Sequence, residues 1–437
     1  MTDTVEMADG MPDGLKDRSV ITGLGTMAPN GMNTADYWAA TLAGRSGIEP
    51  LQRFDATGYP SALAGQITGF SAEGRIPGRL LPQTDRVTRL ALAATDEALA
   101  DAAVVPAELE DYGMGVVTSN ATGGFEFTHT EIHKLWTKGP QHVSVYESFA
   151  WFYAVNTGQI SIRHGMRGPS GVIVSEQAGG LDAIGQARRT IRSGTSLSVT
   201  GGVESSLDPW GWTCHQTNGH ISRTSDPALA FRPFDAAASG SVPGEGGAIL
   251  VLESERAARK RGAPKLYGEI AGYAATFDPA PGSDRRPGLA RAARLALADA
   301  GIEPGDVDVV FADSAGVPRL DRLEAEAIVE VFGGDAVPVT APKSLVGRLC
   351  AGGGPLDVVA AVLAIRDGLV PPTFHTVDVP AEYGLDLVRG SARPLDVRTA
   401  LVLARGVRGF NAAIVVRGID SAVDRTVESD AKGVAAA

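Results

Sequence analysis

Two glycine-led, apolar helical segments are the feature of this sequence that most restricts its possible folds. Residues 179–194 read GGLDAIGQARRTIRSG and residues 353–368 read GGPLDVVAAVLAIRDG, and the two segments differ in spacing by one residue. A helix that is apolar around nearly its whole circumference is stable only when protein covers it on all sides. The two segments therefore predict two similar halves, each with a helix in the interior, although a shared Ala-rich composition would also explain the likeness.

Apolar strands and helical segments alternate along the chain, from about residue 19 to residue 417. This alternation predicts an α/β protein with a mainly parallel sheet at its core. At 437 residues the chain is long enough for a sizeable core, and no linker-like stretch divides it. We expect one body made of an N-terminal half, 18–255, and a C-terminal half, 256–419, between flexible tails at 1–17 and 420–437.

Composition and charge argue against several classes of function. The net charge is −12, whereas binding to nucleic acid phosphates requires clustered Lys and Arg. The two cysteines, Cys214 and Cys350, are too few for a disulfide framework or a thiolate metal site, so we expect no metal and a reducing cytoplasm. The absence of an apolar run of about 18 residues predicts no membrane span. The polar N-terminal segment predicts no signal peptide.

The stretch SGVIVSEQAGGLDAIGQARRTIRSG, residues 170–194, predicts a short strand, a tight turn and a helix. In such a turn, backbone N–H groups and the positive end of the helix dipole stabilise a thiolate nucleophile. The residue in this turn is Gln177, whose amide is not a nucleophile. We therefore expect the amide to fill the pocket and to form hydrogen bonds there without reacting.

Three segments carry a resemblance to a known family: 168–185 around this turn, 231–253 (FRPFDAAASGSVPGEGGAILVLE) and 341–359 (APKSLVGRLCAGGGPLDVV). They resemble the signatures of the β-ketoacyl synthases, and with the N-terminal VITGLGTMAPNG the likeness spans about residues 19–417. The resemblance implies the thiolase fold, an α/β fold with two related halves in a five-layered αβαβα body. It also implies a dimer.

The catalytic positions of that family are where this sequence departs from the pattern. The family uses a Cys that takes the acyl chain and two His residues that assist decarboxylation and stabilise the oxyanion. The resemblance places Gln177 at the Cys position and Asp313 and Arg348 at the His positions, while Lys343 keeps its family identity. An anionic Asp313 would repel an enolate, and a permanently protonated Arg348 transfers no proton. We therefore expect no independent condensing activity.

This combination of losses, with Gln in the turn, resembles the chain length factors, the β subunits of type II polyketide ketosynthases. The resemblance implies a heterodimer with an active ketosynthase α subunit, which condenses malonyl units carried on the phosphopantetheine arm of an acyl carrier protein. It implies no bound cofactor, no nucleic acid and no membrane partner. The alternative is a malonyl-acyl carrier protein decarboxylase that uses Gln177 to generate the primer, and the loss of both His residues disfavours it.

A growing polyketide needs an apolar tunnel that shields it from water. Phe125, Thr128 and Ile132 stand at i, i+3 and i+7 in a predicted helix after the strand MGVVTSN, so they share one helix face. The resemblance implies that this face, with Thr122 and Gln177, lines a substrate tunnel that crosses the subunit interface and sets the chain length. Ordinary core or interface packing is the alternative for the same face.

Residues 145–155, VYESFAWFYAV, form a dense aromatic run in a chain that is 6% aromatic. The run is predicted to anchor the interface with the partner subunit, and residues 146–163 are expected to be helical. Its aromatic side chains are Tyr146, Phe149, Trp151, Phe152 and Tyr153.

Two further features have simpler explanations. Cys214 and His215 look like a catalytic pair, but neighbours in a predicted loop rarely face one site, so catalysis is not expected there. The basic segment 256–262 (RAARKRG) predicts a solvated helix face, with docking of an acidic carrier protein as the alternative.

Overall fold

The computed structural model describes residues 17–280 and 282–419. The expected tails, 1–17 and 420–437, lie outside the described residues except for Asp17. The described part contains α-helices and β-strands in alternation, numbered here in chain order.

The helices are α1 Thr34–Leu42, α2 Arg86–Asp101, α3 Phe125–Lys138, α4 Glu147–Ala150, α5 Val155–His164, α6 Gly179–Arg192, α7 Pro209–Thr217, α8 Pro227–Ala230, α9 Glu255–Lys260, α10 Leu289–Ala300, α11 Pro318–Phe332 and α12 Gly353–Asp367. The strands are β1 Ser19–Met27, β2 Ile48–Pro50, β3 Leu63–Gly65, β4 Met114–Ser119, β5 Ser170–Ile173, β6 Leu197–Glu204, β7 Gly246–Ser254, β8 Gly268–Phe277, β9 Val309–Phe311, β10 Pro338–Thr340, β11 Leu369–Val370, β12 Asp386–Leu387, β13 Arg393–Pro394, β14 Thr399–Arg405 and β15 Phe410–Arg417.

Short polar side chains fix where two of the long helices begin. The Asn33 side chain accepts a hydrogen bond from the backbone N–H of Asp36 at the start of α1. The Asp85 side chain accepts one from the N–H of Val87, at 2.8 Å, at the start of α2. Each cap satisfies a backbone donor that has no partner within its helix.

The segment expected to be one helix over 146–163 is two helices, α4 and α5, with a break between them. At this break the Trp151 carbonyl accepts a hydrogen bond of 3.1 Å from the N–H of Gly124, in the loop before α3. A carbonyl taken up by another segment of chain is withdrawn from the helical hydrogen-bond ladder. A tertiary contact, and not local helix propensity, accompanies the end of the helix. The sequence pattern therefore gives no sign of the break.

The main sheet consists of two halves with the same strand order. The first half runs β1-β7-β6-β4-β5 and the second β8-β15-β14-β9-β10, with the short β12 beyond β10. In each half the successive pairings are antiparallel, antiparallel, parallel and parallel. The halves meet where β1 and β8 pair through two residues of each strand.

The mainly parallel core expected from the sequence is therefore wrong, because antiparallel pairings are as frequent as parallel ones in this sheet. In each half the last strand of the repeat lies antiparallel to the strand that precedes it. Antiparallel strands that follow each other in sequence can pair without the helical crossover that parallel strands require. The expected boundary between residues 255 and 256 falls at the start of α9 and stays a prediction.

Helices cover and separate the two half-sheets. Helices α2 and α5 pack on the outer face of the first half, and α10 and α11 lie on the outer side of the second. Helices α6 and α12 lie between the halves, and every residue of α12 from Gly353 to Ala364 is buried. The layers follow the order αβαβα, as the resemblance implied, and the two echoing segments are the central helices.

The two central helices approach each other at their N-termini. A Cβ atom on Gly180 of α6 would lie 2.2 Å from the Ala351 carbonyl oxygen, just before α12. Only glycine permits this approach, which brings both positive helix ends to one point in the interior.

Candidate functional site

Gln177 occupies the tight turn between β5 and α6, at the meeting point of the two central helices. The turn Glu176–Ala178 is a single 3-10 turn, and Gln177 is fully buried. Glu176 has φ of +51°, a left-handed conformation that costs a non-glycine residue energy. The fold therefore keeps the strained turn of a nucleophile site although the residue it presents is an amide.

The Gln177 side chain is wedged against the start of α12. Its Nε2 atom would lie 2.5 Å from a Cβ atom on Gly353, so this position accepts no larger residue without movement. Neither amide atom of Gln177 has a hydrogen-bond partner among the described residues. The hydrogen bonds expected from the sequence are thus not found, and space filling is the role that the geometry shows.

Asp313 and Arg348, which the resemblance predicts at the two His positions, bind each other. Arg348 Nη1 lies 3.0 Å from Asp313 Oδ2, and Nη2 lies 3.3 Å from Oδ1. The same guanidinium donates to the carbonyls of Asp313 at 3.1 Å, Ser314 at 3.3 Å and Arg405 at 3.2 Å. This one side chain therefore ties together the end of β9, the loop before α12 and the end of β14.

Both partners of this pair are ionised. Burial opposes ionisation of Asp313, yet the Arg348 and Lys343 cations hold the pKa of its carboxyl below the usual value. Burial likewise disfavours the charge on Arg348, but the Asp313 carboxylate raises its pKa. Neither group exchanges a proton near neutral pH, so the pair supplies no general acid or base.

The retained Lys343 is part of the same buried network. Its Nζ atom lies 2.6 Å from Asp357 Oδ2 in α12 and 2.6 Å from the Ala312 carbonyl oxygen. Glu324 of α11 accepts hydrogen bonds from the N–H groups of Asp313 and Ser314. Burial, and then the negative charge of Asp313, raise the pKa of Glu324 to about 7.

The sequence analysis missed two acidic residues that interact with each other, Glu176 in the Gln177 turn and Glu204. Glu204, at the buried end of β6, accepts hydrogen bonds from Thr122 Oγ1 at 2.5 Å and from the Ala121 N–H. Burial raises the pKa of Glu204 to about 7. Glu176 accepts from the N–H of Val407 at 2.8 Å. The one sequence signal for Glu204 is its place directly at the end of a strand, where functional side chains often lie.

Cys350 lies close to the carboxyl groups of Glu176 and Glu204. Burial, and next the Glu176 carboxylate, raise the pKa of its thiol, so the thiol stays protonated and weakly nucleophilic. Cys350 therefore does not replace the missing nucleophile.

The three residues of the α3 face that is proposed to line the tunnel differ in their neighbours and in their exposure. The ring of Phe125 stacks on Trp210 of α7, with centroids 5.1 Å apart and planes at 12°. The Thr128 hydroxyl is buried next to the Glu147 carboxyl group, and Ile132 is 38% exposed. Trp210 is a contact that the sequence analysis missed, because 85 positions separate it from Phe125.

The predicted interface anchor packs against α3, and the helix that follows it, α5, contacts the edge strand β5. Trp151 and Phe152 are 48% and 36% exposed, and none of the five aromatic side chains of this run is fully buried. Their rings contact each other, with the pairs Tyr146–Phe149, Trp151–Phe152 and Phe152–Tyr153 within 6 Å between centroids. Strand β5 is the last strand of the sheet on this side.

Cys214 and His215 lie on helix α7 and not in a loop as expected. The Cys214 side chain is exposed, whereas His215 is enclosed and its Nε2 atom lies 2.9 Å from Ser206 Oγ. Burial lowers the pKa of His215 to about 4. The two side chains face different surroundings and form no reactive pair.

The basic segment 256–262 overlaps α9, and its three arginines are ion-paired, with Arg256 3.8 Å from Asp17. Arg259 lies 2.7 Å from Glu255, and Arg261 lies 2.6 Å from Glu253. Within residues 17–280 and 282–419 no group of His, Cys, Asp and Glu side chains is arranged to hold a metal ion. In the same residues no helix is both long and apolar enough to span a bilayer.

Models of one family match most of the chain. The β-ketoacyl synthase N-terminal domain matches residues 16–258, and the C-terminal domain matches residues 267–377. The actinorhodin polyketide putative β-ketoacyl synthase 2 of Streptomyces coelicolor is 64% identical over 91% of this chain and 98% of its own length. The tetracenomycin polyketide synthase ketoacyl synthase beta subunit of Streptomyces glaucescens is 58% identical over the same shares of the two chains.

Solved structures agree with these matches. The ishigamide ketosynthase/chain length factor is 28% identical, with a TM-score of 0.84 over 92% of this chain and 100% of that chain. A type II polyketide synthase ketosynthase, solved bound to the hexaketide and in complex with its acyl carrier protein, gives 26% identity and a TM-score of 0.83. That match covers 93% of this chain and 100% of the other.

The five-layered fold and the family matches define a condensing-enzyme scaffold, with a buried amide in the turn before α6. The chain belongs to the β-ketoacyl synthase family, and within it to the ketosynthase β subunits of type II polyketide synthases.

Proposed function

We propose that this chain is a catalytically inactive chain length factor, which pairs with an active ketosynthase and shapes the tunnel that receives the growing polyketide. The observation that carries the proposal is the occupation of all three catalytic positions by groups that cannot perform the reaction. Gln177 is a buried amide, and Asp313 and Arg348 neutralise each other.

The proposed partners follow from the relatives and from the exposed surface. The partner α subunit supplies the Cys and both His residues, and an acyl carrier protein brings malonyl units on its phosphopantetheine arm. An acyl carrier protein accompanies the ketosynthase in one of the similar structures. The aromatic run and the open edge at β5 form an apolar surface that suits a permanent subunit interface.

The tunnel is proposed to reach the face of α3 that carries Phe125, Thr128 and Ile132, with Thr122 and Gln177 nearer the centre. Side chains of different size at successive turns give the tunnel an end whose position depends on their volume. A polyketide that meets this end is released because further extension requires overpacking.

Malonyl decarboxylation by Gln177 is the competing function. It requires groups that stabilise the enolate, and in their place stand an anionic carboxylate and a cation already held by that carboxylate. The geometry therefore favours a catalytically inactive chain length factor over a decarboxylase.

Condensation and acylation assays separate these functions. The purified chain, alone and with its ketosynthase α subunit, is incubated with malonyl-acyl carrier protein, and intact mass reports which subunit carries the acyl group. We expect no turnover by the chain alone, none after Gln177→Cys, and acylation of the α subunit only in the complex. Condensation by the isolated chain would contradict the proposal.

Gln177→Ala tests the decarboxylase directly. We expect the complex to keep synthesis from malonyl-acyl carrier protein, with at most a reduced yield from lost packing. A selective loss of synthesis from malonyl units, with extension of pre-acylated primers retained, would instead establish decarboxylation as the function.

A further inference from the structure

Helices α3 and α7 are joined by two contacts on one side of α3. The first is the stack of Phe125 on Trp210. The second is an ion pair or hydrogen bond between His129 Nδ1 and Asp208 Oδ2, at 2.9 Å. Phe125 and His129 stand at i and i+4 and therefore lie on the same face of α3, one turn apart.

Asp208 links this contact to the position of Trp210. Its carboxylate is the N-cap of α7 and accepts hydrogen bonds from the N–H groups of Trp210 and Gly211, each at 3.1 Å. The Asp208 side chain is 4% exposed, whereas that of His129 is 38% exposed. One buried carboxylate thus fixes the start of the helix that carries Trp210 and holds α3 through His129.

We infer that His129 is a positioning residue for product length, which holds the Trp210 ring against Phe125 through Asp208. The inference rests on the proposed function, because it requires that the wall formed by α3 lines the polyketide tunnel. His129 itself touches no substrate in this account. Its loss would free α3 from the cap of α7, loosen the stacked rings and move the end of the tunnel outward.

The test is the product-length distribution, measured by mass spectrometry, of complexes assembled with the ketosynthase α subunit. His129→Leu keeps the bulk but not the donor, and we expect the share of longer products to rise by roughly threefold or more. His129→Asn keeps a donor near the position of Nδ1 and should restore much of the parental distribution. His133→Leu, an exposed position one turn further along α3, is the matched control and should leave the distribution unchanged.

Asp208→Asn keeps a capping side chain and weakens the same bridge, so it tests the inference should the His129→Leu complex fail to assemble. Unchanged product length in both bridge variants, alongside a shift caused by Phe125→Ala, would overturn the role of His129 and leave the proposed function standing. Unchanged length in Phe125→Ala as well would instead overturn the tunnel wall on which the inference rests. A shift in the bridge variants that His133→Leu reproduces would show a general effect of disturbing α3 and would also overturn the inference.

Discussion

Arg348 and Asp313 bind each other through two side-chain contacts, of 3.0 and 3.3 Å, at the positions where relatives with condensing activity are expected to carry His. The Arg348 side chain also joins the end of β9 and the end of β14 to the loop before α12. The pair therefore has a structural role, and the coupling free energy between the two residues can be measured.

Removing one partner of the pair should be costly. Arg348→Ala leaves the anionic Asp313 buried and unpaired, and we expect a loss of about 3–5 kcal/mol in the free energy of unfolding. Asp313→Ala should act similarly, and the double variant should lose much less than the sum of the two. Urea unfolding of the four proteins gives the coupling energy, and strictly additive losses would contradict the assignment. Arg398→Ala, in an exposed pair with Asp396, is the control and should change little.

Glu204 should make stability depend on pH. Its pKa is raised from 4.5 to about 7 by burial, so the folded state binds the proton more tightly than the unfolded state. The stability contributed by this proton is complete below pH 4.5 and is lost as the pH rises through about 7. Between pH 5 and 8 the free energy of unfolding of the wild-type protein should therefore fall by about 2 kcal/mol more than that of Glu204→Gln.

Unfolding at both pH values tests this dependence. Exposed Glu73→Gln is the control and should keep the wild-type slope. A wild-type slope in Glu204→Gln would show that Glu204 does not carry the effect.

The contact between Gln177 and Gly353 should appear as a coupling between two substitutions. Gly353→Ala places a Cβ atom 2.5 Å from Gln177 Nε2, and we expect a loss of about 1–3 kcal/mol from overpacking. Gln177→Ala removes the obstructing amide, so the double variant should recover most of that loss. Gly78→Ala, where an added Cβ meets nothing within 4 Å, serves as control. The contact is refuted if Gly353→Ala costs the same in both backgrounds.

The sequence predicts the parts of this protein that depend on local pattern. The two glycine-led segments identify the central helices α6 and α12. The family resemblance also points to Asp313 and Arg348, although it does not predict that they bind each other.

What the sequence does not predict depends on contacts between distant segments. Trp210 contacts Phe125 only because α7 packs beside α3, and Glu204 lies near Glu176 only through the pairing of β6 in the sheet. The break after α4 arises in the same way, since the Trp151 carbonyl is bound by Gly124. Patterns of apolar residues along the chain carry no record of these pairings.

The aromatic run should provide binding energy for assembly. Trp151→Ser and Phe152→Ser remove exposed rings from the proposed interface, and together they should weaken the complex with the α subunit by roughly tenfold or more. Val377→Ser replaces another exposed apolar side chain, 78% accessible and outside this run, and should leave affinity unchanged. Affinity measured by titration of the purified subunits decides the matter, and equal affinities for all variants would place the interface elsewhere.

This chain is proposed to set product length without performing chemistry, and the masses of the products test that proposal. Phe125→Ala removes bulk from the proposed end of the tunnel, so products should lengthen by one or more two-carbon units, while Thr128→Trp should shorten them. Overpacking of about 1–3 kcal/mol is enough to change the balance of extension and release by tenfold or more. Mass spectrometry of the products made with the α subunit should show opposite shifts with synthesis retained. Changes in yield alone, with product length fixed in both variants, would contradict the claim.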